Sequence, residues 1–292
     1  MHRYLLQNDR IRPTTDLSLS PGQTGFMNGW GVFSTLRVCQ GVLFAFDRHY
    51  RRMRKDAALM RVPFDIAPEA LSTLLHRLVD ANGAQEATLR VVSVRNKGGM
   101  FEAPGLAREA ELIAFSADIA QWNPGVKLGT VPNARHAASP FAGTKVTSWS
   151  QNLTLYETAH EQGLDEVILL NEHGQVSECT SANLFAIRGN EVVTPPLRSS
   201  GCLPGVTRAL LLEEIQAPGL SIIERDLVPA DLLTSDGVFI TSSTRDVLSV
   251  AEIDGETVPQ NPETIARLQN AFVQYRNDYV VAHRRASEAV TS

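Results

Sequence analysis

The chain has 292 residues, 43% of them hydrophobic and 20% charged, a profile that excludes disorder over most of its length and supports one large or two medium domains. Its formal charge of -5 comes from 32 acidic and 27 basic side chains interspersed along the sequence, so no basic tract exists to follow a nucleic-acid backbone. The opening MHRYLLQNDRIRPTTD is broken by charge every few residues, leaving neither a signal-peptide core nor a membrane-spanning run; a soluble, cytoplasmic protein is the expectation.

Taken in chain order, the first half alternates strand-like and helix-like periods. Gly31 to Val38 is rich in β-branched and aromatic residues, Gly41 interrupts it, and Val42 to Phe46 resumes, which predicts a hairpin. Asp47 is placed to cap a helix reaching about Met60, with Tyr50, Met53, Ala57 and Met60 at helical spacing. A second helix begins at Pro68, carries Leu71, Leu74, Leu75, Leu78 and Val79 on one face, and ends at Gly83. Strands over 87–94 and 110–116 complete a compact α+β unit.

Further along, 152–162 reads as a helix and 166–170 as a buried strand, after which the Asn171-Glu172-His173-Gly174 turn feeds another strand. Residues 184–187 and 192–193 pair around Gly189-Asn190, and a helix follows Gly205 through Leu210, Leu211 and Ile215. A strand over 238–241, a hairpin over 251–258 and a long C-terminal helix opened by Asn261-Pro262 close the chain.

Few residues can carry covalent chemistry. The four lysines are Lys55, Lys97, Lys127 and Lys145, and only Lys145 lies among small residues, in Ala142-Gly143-Thr144-Lys145, beside uncharged polar and aromatic neighbours. A lysine is most often a solvated surface residue, but one desolvated in such a setting becomes a nucleophile at neutral pH. Cys39, Cys179 and Cys202 form no CxxC pair and no metal-ligand spacing, so free thiols and no metal are expected. Two segments offer anion-binding donors. Val206 and Thr207, after Gly205, open an amphipathic helix whose free N–H groups point one way. The turn Thr241-Ser242-Ser243-Thr244 follows a strand and can present both N–H and O–H donors. Arg48, Arg51 and Arg52 add cationic candidates on a helix.

Together these segments resemble the fold-type IV pyridoxal-phosphate enzymes, the family of branched-chain and D-amino acid aminotransferases and aminodeoxychorismate lyase. GWGVFSTLRV (29–38) is similar to the family's first strand motif, and DRHYRRM (47–53) to the helix whose histidine precedes the phosphate arginine by three residues, which implies Arg52. Lys145 with Asn152 resembles the Schiff-base segment. DEVILLNEHGQVSECTSANLFAI (165–187) resembles the block that supplies the pyridine-nitrogen partner, here Glu178, five residues before Asn183. TPPLRSSGCLPGVTR (194–208) and FITSSTRDVLSVAEIDG (239–255) resemble the remaining blocks, implying phosphate contacts from Val206, Thr207, Ser243 and Thr244.

The resemblance implies a two-domain α+β fold, with a small α/β sandwich over 1–120, a linker over 121–135, and a larger β-barrel-like domain with helices over 136–292 that binds pyridoxal 5'-phosphate. It implies a homodimer that moves an amino group from a branched-chain or other hydrophobic amino acid to a 2-oxo acid such as 2-oxoglutarate. Lys145 would act as the catalytic base. Phe33, Trp30 and Thr35 are candidate substrate contacts, and Arg90 or Arg95 a candidate carboxylate receptor. Three positions depart from the branched-chain pattern. Ser34 and Thr35 stand where a glutamate and a glycine are usual, Thr35 resembles the aminodeoxychorismate lyases, and Ser150 occupies the place of a tyrosine. The lyase, which releases pyruvate, is therefore the alternative reaction. A catalytically silent binding protein is the remoter one, opposed by the presence of Lys145, Glu178 and Arg52 together.

Overall fold

The computed structural model describes residues 1–100 and 102–290, the side chains of 285–290 excepted. The chain divides into two compact units: Met1–Ala120 with Thr144–Trp149 and Arg276–Ser292, and Gln121–Gly143 with Ser150–Tyr275. Val126–Val131, inside the span expected to be a linker, forms a strand of the second unit.

The first unit is built on an antiparallel sheet of β1 (Tyr4–Gln7), β2 (Arg10–Pro13), β3 (Gly31–Cys39), β4 (Val42–Leu43), β5 (Ala87–Arg95) and β6 (Ala110–Ala117), in the order β2-β1-β6-β5-β3-β4. Its helices are α1 (Thr24–Asn28), α2 (Phe46–Leu59) and α3 (Pro68–Asn82). Alternation along β3 sends Val32, Leu36 and Val38 to the side covered by α2 and α3, where Tyr50, Met53, Ala57, Leu71, Leu75, Leu78 and Val79 complete a core. Phe33, Thr35 and Arg37 take the opposite side. The predicted helices appear at their expected places with one correction. Asp47 does not cap α2; Ala45 precedes it in a left-handed conformation (φ 54°), and no side chain caps the helix. The second strand of the predicted hairpin is correspondingly short, because Phe44 and Ala45 turn the chain into the helix.

The second unit holds nine strands: β7 (Val126–Val131), β8 (Glu166–Leu170), β9 (Val176–Cys179), β10 (Asn183–Arg188), β11 (Glu191–Thr194), β12 (Ser221–Glu224), β13 (Gly237–Ser242), β14 (Asp246–Ile253) and β15 (Glu256–Thr257). They run in the order β12-β11-β10-β13-β14-β7-β8-β9, with β15 beside β14. β9 ends this order, yet only Thr180–Ala182 separate it from β10 and Cys179 N–H donates to Ala182 C=O at 2.8 Å, so the sheet curls back on itself. Leu128, Ile168, Val176, Leu184, Val193, Val238, Ile240 and Val250 fill the enclosed core. The helices are α4 (Ser150–Glu161), α5 (Leu197–Ser200), α6 (Val206–Glu213) and α7 (Pro229–Leu233), with the start of α8 (Pro262–Val290), whose residues from Arg276 on belong to the first unit. The result is the mixed α+β architecture expected from the sequence. No helix among the described residues is long and apolar enough to cross a membrane.

Candidate active site

In the first unit, the 29–38 motif becomes the strand against which Lys145 is laid. Gly29 has φ +62°, and a Cβ there would stand 2.7 Å from Ser148 Cα, so this position needs glycine for both its backbone and its neighbour. The free edge of β3 above β4 then pairs with the lysine segment. Phe33 N–H donates to Lys145 C=O at 3.1 Å and Thr147 N–H to Gly31 C=O at 2.9 Å, with a bridge between Val32 and Val146. This backbone pairing brings Lys145 Nζ to 4.7 Å from the centre of the Phe33 ring and 5.9 Å from that of Trp149. Both distances lie within reach of a cation–π attraction, and the lysine is half-buried.

One stripe of α2 supplies polar groups to the same place. His49, Arg52 and Asp56 recur at helical spacing beside the apolar stripe of Tyr50, Met53 and Ala57. Asp56 Oδ2 accepts the Lys145 N–H at 3.2 Å. Burial raises the Asp56 pKa against the lowering effect of that bond and of Arg52, Lys55 and Lys145. Arg52 Nη2 donates to Ser34 Oγ at 3.0 Å, and Ser34 Oγ lies 2.9 Å from His49 Nδ1.

Of the two arginines considered for a carboxylate, the surroundings differ sharply. Arg95 donates Nε to Lys97 C=O at 2.6 Å and Nη1 to Arg61 C=O at 2.7 Å, and stacks 4.4 Å over Trp30, whose Nε1 is bound to Met60 C=O. Arg90 faces Thr35 across the β3–β5 pair and donates Nε to Thr35 Oγ1 at 3.3 Å. Its guanidinium carbon lies 4.8 Å from the Phe33 ring, the ring that also neighbours Lys145 Nζ. Arg90 has no carboxylate partner among the described residues, and burial lowers its pKa.

In the second unit, an acid and the two turns predicted to bind an anion gather at one end of the curled sheet. Glu178 is 7% exposed; its Oε1 accepts from Arg135 Nε at 3.2 Å and its Oε2 from Leu203 N–H at 3.0 Å. Arg135 also reaches Asn152 Oδ1 at 3.3 Å, and Asn152 Nδ2 donates to Thr180 C=O at 2.7 Å, which ties α4 to the turn after Glu178. Asn183 Nδ2 holds Leu203 C=O at 2.9 Å. A Cβ on Gly205 would come within 1.9 Å of Asn183 Oδ1, so the turn into α6 sits too close for any side chain.

α6 begins at Val206 with no side-chain cap for the N–H groups of its first turn. Asn183 pairs with Thr241 on β13, which leads directly to the Ser243-Thr244 turn. There Thr244 N–H and Oγ1 approach Ser242 Oγ at 3.4 and 3.2 Å, and the Thr241 hydroxyl is buried with no partner. Behind the turn, Arg245 lies 3.5 Å from Glu166 with side chains 4% and 1% exposed, and Arg245 Nη1 donates to Ser181 Oγ at 2.9 Å. Such a donor set suits a phosphate, and an acid held by two donors suits a protonated ring nitrogen.

The sequence motifs thus assemble Lys145, Arg52, Phe33, Thr35 and Arg90 in one unit, and Glu178, Asn183, Val206, Thr207, Ser243 and Thr244 in the other. Sequence reading misses Arg135, Asp56 and the Glu166–Arg245 pair. A charged residue whose partner lies far along the chain carries no local signal, and only the fold reveals that each has one.

The sequence profile of the family described as "Amino-transferase class IV" matches residues 31–253. A D-alanine aminotransferase of Bacillus licheniformis is 28% identical over 279 residues, covering 92% of this chain and 97% of that protein. An aminodeoxychorismate lyase of Vibrio harveyi is 28% identical over 254 residues, covering 85% of this chain and 90% of that protein. The T.th. branched-chain amino acid aminotransferase, solved in complex with N-(5'-phosphopyridoxyl)-L-glutamate, shares the fold at a TM-score of 0.84 and 23% identity, over 96% of this chain and 97% of that one. With well over half of its length matched by the family profile, the chain belongs to the class IV aminotransferases.

Proposed function

We propose that this chain is a pyridoxal 5'-phosphate-dependent aminotransferase acting on an amino acid with a hydrophobic side chain, branched-chain donors included, and on a 2-oxo acid such as 2-oxoglutarate. The observation that carries the substrate class is the sharing of one aromatic ring by an amine and a guanidinium. Lys145 Nζ and Arg90 Cζ lie 4.7 and 4.8 Å from the centre of Phe33. An α-amino acid worked on at its α-carbon by the lysine has its carboxylate within range of Arg90, which has no internal anion among the described residues. Phe33 and Trp149 leave apolar surface for the side chain.

Bound pyridoxal 5'-phosphate supplies the electron-accepting ring that makes the α-proton of the substrate removable. Lys145 would hold the cofactor at its aldehyde carbon and would move the α-proton of the substrate with its amine. Glu178 would accept a hydrogen bond from the ring nitrogen, with its carboxylate held in place by Arg135 and the Leu203 N–H. Arg52, the N–H groups of Val206 and Thr207, and the Ser243-Thr244 turn would bind the phosphate. Asn183 fixes the turn at Leu203 and Gly205. Trp30 and Arg95 act as scaffold, since each is bound to backbone carbonyls. The assembly we propose is a homodimer, in keeping with the family resemblance.

Borohydride reduction of the yellow holoenzyme followed by peptide mass mapping should place the adduct on Lys145 and lose it in Lys145→Ala. An adduct unchanged in that variant would overturn the assignment. Aminodeoxychorismate lyase is the second reading, favoured by Thr35, whose hydroxyl accepts the Arg90 Nε–H. Pyruvate appearing from aminodeoxychorismate without any amino acceptor would establish it in place of amine transfer.

A further inference from the structure

The helix stripe that delivers Arg52 also delivers a buried histidine for which the reaction has no use. His49 is 2% exposed and Ser34, its partner on β3, is 1% exposed. Arg52 Nη2, His49 Nδ1 and Ser34 Oγ meet at one point, with the serine oxygen 3.0 Å from the arginine nitrogen and 2.9 Å from the imidazole nitrogen. A guanidinium can only donate, so Ser34 Oγ accepts from Arg52. The serine oxygen has a second lone pair, so its bond to His49 runs from the serine O–H to a bare Nδ1 in one imidazole tautomer and from Nδ1–H to the serine in the other, and a neutral imidazole serves in both. The burial that lowers the His49 pKa, together with the charges of Arg52 and Lys145, agrees with that neutral state.

We propose that Ser34 and His49 are positioning residues that hold the Arg52 guanidinium in one orientation toward a phosphate group; the proposal rests on the phosphate role given to Arg52 above. Arginine has many rotamers, and an exposed one spends little time in any single pose. Here the serine takes one guanidinium N–H in a charge-assisted bond while the rigid, fully buried imidazole fixes the serine hydroxyl. The plane of the guanidinium is thereby set in direction before a ligand arrives, which lowers the ordering cost of binding an anion. A mere packing cluster would need no such directed chain of donors.

The test compares binding of pyridoxal 5'-phosphate with binding of pyridoxal, which lacks the phosphate, to the apo form of each variant by visible absorbance titration. Ser34→Ala should weaken the phosphorylated ligand by about tenfold and leave pyridoxal unchanged. In an Arg52→Ala background the same substitution should have no further effect. His49→Phe should reproduce the loss, whereas His49→Gln, which keeps an acceptor for the serine proton, should stay within about threefold of wild type. These last two variants serve even if Ser34→Ala folds poorly. Equal weakening of both ligands by Ser34→Ala, or additive effects of the Ser34 and Arg52 substitutions, would overturn the positioning role while leaving Arg52 as a phosphate ligand. If Arg52→Ala fails to discriminate the two ligands, the phosphate role of Arg52 is wrong and the proposal falls with it.

Discussion

Because the His49 imidazole is neutral and fully enclosed, the apo protein should lose stability on mild acidification by an amount that can be assigned to this one side chain. Burial is the largest cause holding its pKa well below 6.5, and the charges of Arg52 and Lys145 add to it. The sign follows from linkage. The unfolded chain takes up a proton at the ordinary imidazole value while the folded one does not, so stability is complete above pH 6.5 and falls as the pH drops below it. One pH unit below that value, protonation stabilises the unfolded state by about 1.4 kcal/mol, against almost nothing one unit above it. His49→Gln removes the titration but keeps an acceptor for Ser34. Urea unfolding of apo protein, followed by tryptophan fluorescence at the two pH values, should show the wild type losing about 1.4 kcal/mol more than the variant. Parallel losses in the two proteins would mean that His49 is protonated in the folded state, and the neutral imidazole assigned to the Ser34–Arg52 triad would be wrong.

Three further outcomes are expected. Glu166→Gln leaves the Arg245 guanidinium buried opposite a neutral amide and should cost about 3–5 kcal/mol in unfolding free energy; a change near zero would show that water reaches the pair. Gly205→Ala drives a Cβ to within 1.9 Å of Asn183 Oδ1 and breaks the Asn183–Leu203 bond, so it should cost about 1–3 kcal/mol and weaken cofactor retention, both read by melting with and without pyridoxal 5'-phosphate. Cys39, Cys179 and Cys202 are all buried, and burial pushes the Cys202 thiol up to about 11, so a thiol reagent at neutral pH should label none of them until the protein is denatured. Rapid native labelling of any one would contradict its enclosure.

The parts of the fold that carry strong periodicity are legible in the sequence. The Leu71-to-Val79 stripe between Pro68 and Gly83 predicts α3 at its observed ends, because a proline start and a left-handed glycine stop are local properties of the chain. The β1–β2 hairpin escapes such a reading, although its loop is two residues, Asn8 and Asp9, with Asn8 at φ 56°. Its flanks YLLQ and RIRP alternate too briefly, and their place in the sheet is set by Leu5 and Leu6 against β6, far along the chain. The start of α2 departs from expectation because its cap lies in the backbone of Ala45, which no propensity anticipates. Among the candidate site residues, those embedded in long motifs, such as Lys145, Glu178 and Thr207, can be nominated from their neighbours. Arg135 and Asp56 act through contacts made across the fold, with Glu178 and with the Lys145 backbone, and a lone arginine or aspartate announces no such partner.

Several departures from local folding rules lie at the candidate site. In the first unit these include the left-handed Ala45, the buried Ser34 and His49, and the buried Asp56 with its raised pKa, and all four bear on α2 or on the strand beside Lys145. In the second they include the uncapped start of α6, the orphan hydroxyl of Thr241 and the enclosed Glu166–Arg245 pair, which lie at or beside the two donor-rich turns. A left-handed alanine and an unpaired buried hydroxyl each cost on the order of 1–3 kcal/mol, a large share of the net stability of a folded domain. Chains tolerate such costs where function needs groups held ready for a ligand that is not part of the fold. If the phosphate of the cofactor takes up the α6 N–H groups, saturating pyridoxal 5'-phosphate should stabilise the protein more than saturating pyridoxal does. Equal stabilisation by the two ligands would leave those costs without a functional cause.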